Sequence, residues 1–84
     1  MRLINGQVKD WNTVNQVGWY SGYNASNSHS DFSNVSSWVI ALCLAQGGNM
    51  NYAKLYANFE SKLYIRSGNA NTGNWSSWTK ILNA

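Results

Sequence analysis

The chain has 84 residues, a net charge of +3 and only 11% charged residues, against the ~25% typical of soluble domains. This length predicts one domain that is marginally stable alone, so we expect it to oligomerise. With Cys43 as the only cysteine, an intrachain disulfide is excluded, and no Cys/His spacing predicts a metal site or a cofactor. The Lys and Arg residues are scattered, which argues against nucleic-acid binding. The longest apolar run, residues 38–45, is too short to cross a membrane, and no signal peptide is recognisable.

Short alternating segments dominate the chain and predict an all-β fold, a small antiparallel sheet or sandwich of about five strands. Asp10 is expected to cap one helical turn near the N-terminus, because its carboxylate can accept a free backbone N–H. Residues 1–9 are interpreted as a lead-in or linker and residues 10–84 as the domain. A polar stretch at residues 24–37 is expected to be a long loop. The predicted strands are residues 17–23, 37–44, 51–59, 62–67 and 75–82.

Strand alternation assigns these residues to faces of the sheet. Residues 37–44 are apolar on both faces, which is typical of a central strand. The next two strands form a hairpin whose inner face is expected to carry the small and aliphatic side chains, namely Ala53, Leu55, Ala57, Leu63 and Ile65. The polar and aromatic side chains are expected on its outer face, namely Tyr52, Lys54, Tyr56, Tyr64 and Arg66. This outer face is predicted to be either a trimer contact or a ligand contact.

Five tryptophans in so small a chain must build the core or contact a partner. Because residues three apart point to opposite sides of a regular strand, Trp78 is predicted in the core and Trp75 outside. Trp19 and Trp38 are also predicted in the core, and Cys43 is expected to be a small buried apolar residue.

Several motifs, taken in order, resemble the pyocin knob family of phage and R-type tailocin tail fibres. The resemblance covers roughly residues 10–82 and is most specific at the Gly-aromatic-Tyr step and at the Tyr-x-Arg and Trp-Ser-x-Trp ending. The chain departs from the family where Ser28 to Ser30 replace a usual proline and where Lys54 replaces a common glutamine. The motifs are Asp10-Trp11-Asn12, Gly18-Trp19-Tyr20, Asn24-Ala25-Ser26-Asn27, Trp38-Val39-Ile40, Tyr64-Ile65-Arg66 and Trp75-Ser76-Ser77-Trp78-Thr79-Lys80-Ile81.

The resemblance implies a homotrimeric tail-fibre domain that binds bacterial surface polysaccharide or lipopolysaccharide and is located on the virion or tailocin. A charge-poor, aromatic-rich surface is compatible with this, because sugar rings stack on Trp and Tyr while sugar hydroxyls pair with Asn, Ser and Arg. The alternatives are a structural trimerisation or spacer knob without a ligand, and a free-standing lectin-like domain. The candidate ligand-binding residues are Tyr23, His29, Tyr52, Lys54, Tyr64, Arg66 and Trp75.

Two of these candidates also have a simpler interpretation. For Arg66, a cation–π contact as an exposed side chain laid over Tyr56 or another ring is an alternative to binding an acidic sugar. His29 lies in the polar loop, where a solvated residue is the default.

An enzyme is not predicted, because none of the three carboxylates, Asp10, Asp31 and Glu60, has a partner recognisable from sequence that would tune it for acid–base chemistry.

Overall fold

The computed structural model describes residues 3–33 and 38–81, and side chains from residue 7 onward. These residues form one sheet of seven strands in the order β1-β2-β3-β4-β5-β6, with β7 also paired to β5. All pairs are antiparallel except β1 with β2, which run parallel. The strands are β1 (Leu3–Asp10), β2 (Gly18–Ser26), β3 (Trp38–Gln46), β4 (Asn49–Phe59), β5 (Lys62–Asn69), β6 (Asn74–Trp75) and β7 (Thr79–Ile81).

The all-β prediction is confirmed, and four of the five predicted strands correspond to β2 to β5, with residue 37 outside the described residues. The fifth, of which residue 82 lies outside the described residues, is divided into β6 and β7 by an irregular segment at residues 76–78. One further strand was not predicted: residues 3–9 of the segment interpreted as a lead-in form β1 together with Asp10, and Val8 packs against the core. No helix among the described residues has the length and apolar character needed to span a membrane.

One face of the sheet is covered by two 3₁₀ turns, Trp11–Thr13 and Ser30–Phe32. The predicted turn after Asp10 is confirmed, because the Asp10 carboxylate accepts a hydrogen bond from the Asn12 amide at 2.9 Å. Trp11 lies over Gly22, where a Cβ atom would come within 2.3 Å of the indole ring. The covered face therefore needs glycine at this position for the turn to pack against it.

The second turn corrects the prediction of one long polar loop. Strand β2 continues to Ser26, and the chain then crosses the covered face and buries Phe32. Residues 34–37, which complete the predicted loop, lie outside the described residues. A buried aromatic residue in a polar stretch therefore anchors this segment to the sheet.

The hairpin of β4 and β5 has a register that reverses the predicted face of β5. Glu60 and Ser61 both have positive φ and form a two-residue turn that pairs Phe59 with Lys62. Tyr64 then lies opposite Ala57, and paired residues share a face of the sheet.

The consequence is that β4 is oriented as predicted and β5 is not. Ala53, Leu55 and Ala57 are buried, as expected. Tyr64 and Arg66 are buried beside them at 1% and 6% exposure, whereas Leu63 is exposed and Ile65 half-buried. The prediction that Tyr64 and Arg66 face outward is therefore wrong.

The opposite face of the sheet, here called the open face, carries the tryptophans that were predicted in the core. Trp19 is 40% exposed and Trp38 59% exposed, because β2 pairs with β3 in a register that turns both side chains away from the covering turns. Cys43 points to the covered face and is fully buried, as predicted, and burial raises the pKa of its thiol to about 11. Trp11, Phe32 and Tyr64 fill the core instead.

Candidate functional site

An open groove of about 430 Å³ lies on the covered side of the sheet, between the turns and the C-terminal strands. Its volume falls within the range of ~300–1,000 Å³ that small ligand sites occupy. Arg66 of β5, Trp75 of β6 and Trp78 of the following segment form one side, and His29 lies on the other. The remaining lining is polar and consists of Asn12, Asn27, Ser28, Ser30, Ser76 and Ser77.

Arg66 lies between two indole rings. Its guanidinium carbon is 5.4 Å from the centre of the Trp75 ring and 5.0 Å from that of Trp78, in cation–π contacts with both. Its Nε donates a hydrogen bond to the carbonyl of Ser76 at 3.0 Å. Burial lowers the pKa of the guanidinium from its ordinary value. The predicted cation–π contact is therefore confirmed, with the two indole rings and not with Tyr56, which belongs to the open face.

Contrary to the prediction from the sequence, Trp75 and Trp78 are not divided between the core and the solvent. Both are half-buried and pack against the core. Trp75 ends β6 and Trp78 is the last residue of the irregular segment, so regular alternation does not connect them. Gly68 allows this arrangement: a Cβ atom there would lie 2.6 Å from the Cα of Trp75. The close approach of β6 to β5 places Trp75 beside Arg66.

The loop that forms the facing wall is held by side-chain hydrogen bonds. Asn27 adopts a positive φ of 59°, a conformation that asparagine tolerates better than most residues. Its side-chain amide donates a hydrogen bond to the Asp10 carboxylate at 2.8 Å, and its backbone carbonyl accepts one from the Trp78 indole N–H at 2.7 Å. The hydrogen bond from Trp78 thus joins the two walls of the groove.

Three buried polar atoms without a hydrogen-bond partner among the described residues belong to side chains that line this groove. They are the Nη1 of Arg66, the Nε1 of Trp75 and the Oδ1 of Asn12. Buried polar groups are nearly always paired, and an unpaired one costs about 1–3 kcal/mol. Two donors and one acceptor in one groove therefore favour a ligand that carries both acceptors and donors.

Beneath the groove wall, Asp31 accepts hydrogen bonds from Tyr64 at 2.8 Å and from Lys80 at 2.9 Å. The bond from Lys80 and then that from Tyr64 hold the pKa of the Asp31 carboxyl below its ordinary value. Burial, together with the carboxylate, raises the pKa of Tyr64 to about 12. These partners of Asp31 come from β5 and β7 and were not recognisable from sequence.

The lowered pKa of Asp31 predicts a pH-dependent contribution to stability. A carboxyl with a depressed folded-state pKa stabilises the fold above its ordinary value of 3.8 and loses this effect as the pH falls through the lower folded-state value. We expect Asp31→Asn to lower the melting temperature at about pH 7, and the difference from the wild type to shrink steadily below about pH 4. Thermal melts across this range measure it.

Glu60→Gln is the matched control, because Glu60 lies in an exposed turn and outside both ion pairs of the described residues. Its melting temperature should follow that of the wild type at every pH. A difference between wild type and Asp31→Asn that stays constant down to about pH 2.5 would show that the carboxylate charge is not the stabilising feature.

The groove unites three of the seven candidate residues, His29, Arg66 and Trp75. His29 is half-buried rather than solvated: its ring centre is 4.8 Å from that of Tyr64, and its Nδ1 accepts a hydrogen bond from the Asp31 amide. Tyr64 itself lies in the core below. Its burial removes it from the surface available to a ligand.

The other three candidates lie apart from the groove. Tyr52 and Lys54 line a second concavity of about 400 Å³ near the open end of the hairpin, away from its turn. Tyr23 lies on the open face, with its ring centre 5.2 Å from that of Trp38. Among the groove residues that sequence reasoning missed, only Asn12 had a usable signal, since it follows the predicted capping residue.

Comparison of the chain with known protein families, with curated proteins and with solved structures found no match. The part of the chain that the structure describes contains no group of three or more His, Cys, Asp and Glu side chains placed to hold a metal ion. The side chains that line the groove offer indole rings, amides, hydroxyls, one imidazole and one guanidinium.

Proposed function

We propose that this chain is a receptor-binding domain of a phage or tailocin tail fibre, and that its groove binds glycans of the bacterial surface. The unpaired polar atoms of Arg66, Trp75 and Asn12 carry this proposal, because a sugar hydroxyl both donates and accepts hydrogen bonds. The resemblance of the motifs to pyocin knob domains supplies the biological setting. A groove of amides, hydroxyls and indole rings is chemically suited to a pyranose.

Blocking the groove tests this proposal. Ser77 is exposed on the groove wall, so Ser77→Tyr should fill the space without disturbing the core. We expect fluorescently labelled wild-type chain to bind defined spots on an array of bacterial capsular and lipopolysaccharide oligosaccharides. Ser77→Tyr should lose about tenfold or more in affinity, which corresponds to about 1.4 kcal/mol.

Gln46→Tyr provides the control, because Gln46 is also exposed but lines the second concavity. It should bind as the wild type does. Equal binding by Ser77→Tyr and the wild type would place the contact outside the groove. Absence of wild-type binding to any arrayed glycan would contradict the glycan proposal and leave the structural alternative.

A second candidate function, as a trimerisation or spacer knob, is favoured by the open face. Five large hydrophobic side chains are exposed there on neighbouring strands, and the two central rows of paired residues contain no charged side chain. Single exposed hydrophobic residues are ordinary, whereas a contiguous patch marks an interface. The five are Trp19, Trp38, Ile40, Leu63 and Ile81.

We propose that other copies of the same chain cover this face, as a homotrimer. The protein measures 32 × 31 × 22 Å, so a broad face is large enough for the ~800 Å² that each partner buries in a standard interface. Trp38 and Ile40 also border a depression of about 350 Å³ that can receive side chains from a partner. Assembly through the open face leaves the groove accessible on the other side, so the two functions are compatible.

A further inference from the structure

The guanidinium of Arg66 is a buried cation whose charge is not neutralised by contact with a carboxylate. Arg66 is 6% exposed, and neither ion pair of the described residues includes it. Its Nε has a carbonyl partner, but its Nη1 has none. Burying a charge away from water is costly unless an opposite charge or further hydrogen bonds compensate it, and the two indole rings compensate only in part.

The chain has three acidic side chains, and each is engaged or placed elsewhere. Asp31 is paired with Lys80 at 2.9 Å. Asp10 acts on Arg66 only through its charge at longer range, because its Oδ1 accepts hydrogen bonds from Asn12 and Asn27. Glu60 lies in the exposed turn between β4 and β5. Among the described residues, no carboxylate contacts Arg66, so a bound anionic group can supply the missing counter-charge.

Building on the proposed glycan function, we propose that the groove selects acidic sugars, and that Arg66 pairs with the carboxylate of a uronic acid. The unpaired donors of Arg66 and Trp75 suit the two oxygens of a carboxylate. The unpaired acceptor of Asn12 suits a neighbouring hydroxyl of the same sugar. The lining contains a single Arg and no Lys, which favours a ligand group with one negative charge over a doubly charged phosphate.

A matched pair of probes tests this selectivity: a galacturonic acid hexamer and its carboxyl-reduced counterpart, which has the same linkages without the charge. Titration of the full chain should show at least about tenfold tighter binding of the acidic hexamer, as expected for a charge-assisted hydrogen bond. The preference should weaken with added salt, because it depends on charge.

Arg66→Met isolates the guanidinium, because the unbranched, flexible methionine side chain replaces the aliphatic part of arginine and can pack against the indole rings without charge. Replacing a buried charge by an apolar side chain is often neutral for stability, so we expect this variant to fold. Its two affinities should become equal. Arg66→Lys, which keeps the charge without the planar donors, should retain only part of the preference.

The outcomes separate this inference from the glycan proposal. Equal binding of both hexamers by the wild type, or an acidic preference that survives in Arg66→Met, overturns the assignment to Arg66 and a carboxylate. Binding of neither hexamer also overturns it, and the oligosaccharide array then decides whether glycan binding itself stands. Preferential binding of phosphorylated oligosaccharides on that array would replace the carboxylate by a phosphate and likewise overturn the inference.

Discussion

Replacing Phe32 by alanine is expected to lower the free energy of unfolding by about 3–5 kcal/mol. Phe32 is 1% exposed and lies at the centre of an aromatic cluster, with ring centres of Tyr64 at 5.0 Å, Trp78 at 5.5 Å and Phe59 at 5.8 Å. The substitution removes apolar burial and leaves a cavity that the surrounding rings cannot fill. A domain of this length has about 4–13 kcal/mol in total, so urea unfolding should show a large loss.

The effect should extend to the groove, because Phe32 anchors the segment that carries His29 and Asn27 to the sheet. Tyr52→Ala serves as the control: it also deletes an aromatic ring, but from a side chain that is 63% exposed and outside the groove. It should change the free energy of unfolding by less than about 0.5 kcal/mol. Similar losses in the two variants would contradict the assignment of Phe32 to the core.

Most strand positions could be predicted from the sequence, whereas the faces of those strands could not be read from hydrophobicity alone. In β5, the aliphatic Leu63 and Ile65 alternate with Tyr64 and Arg66, and the more apolar set was assigned to the core. The turn decides otherwise. If Glu60 and Ser61 form a two-residue turn, the strand pairing that follows places Ala57 opposite Tyr64. Paired residues share a face, so the turn residues in the sequence were enough to predict that Tyr64 lies on the buried face.

The groove was less accessible to prediction because it depends on contacts between distant segments. Trp78 and Asn27 are 51 residues apart and are joined by one hydrogen bond. The position of Trp75 depends on β6 being a strand of two residues, too short for alternation to detect. Arg66, by contrast, is a candidate residue on the sequence alone, and the rings that it contacts are the indoles of Trp75 and Trp78 and not Tyr56.

The same argument explains the misplacement of Trp19 and Trp38. A chain of 84 residues is expected to need the buried area of Trp19 and Trp38 in its core. Among the described residues, only one side of the sheet is covered, and the two covering turns supply the buried aromatic side chains Trp11 and Phe32. Trp19 of β2 and Trp38 of β3 therefore lie on the open face, where their apolar area is removed from water only if a partner covers it.

Trp38→Glu is therefore expected to convert a homotrimer into monomers. Trp38 is 59% exposed on the open face and contacts Tyr23 of the neighbouring strand. A carboxylate buried at this place in an interface would lack a partner, and an unpaired buried charge costs several kcal/mol. Light scattering at micromolar concentration should report about three chain masses for the wild type and one for the variant.

The variant separates assembly from folding, because a side chain that is 59% exposed contributes little to the core of one chain. Trp38→Glu monomers should keep the β-sheet circular dichroism spectrum and, since the groove lies on the other side of the sheet, the affinity for a single glycan. Thr72→Glu, which introduces the same charge in an exposed loop after β5, should remain trimeric. A wild-type chain that is monomeric at this concentration would contradict the trimer, and the exposed tryptophans would then require a different partner.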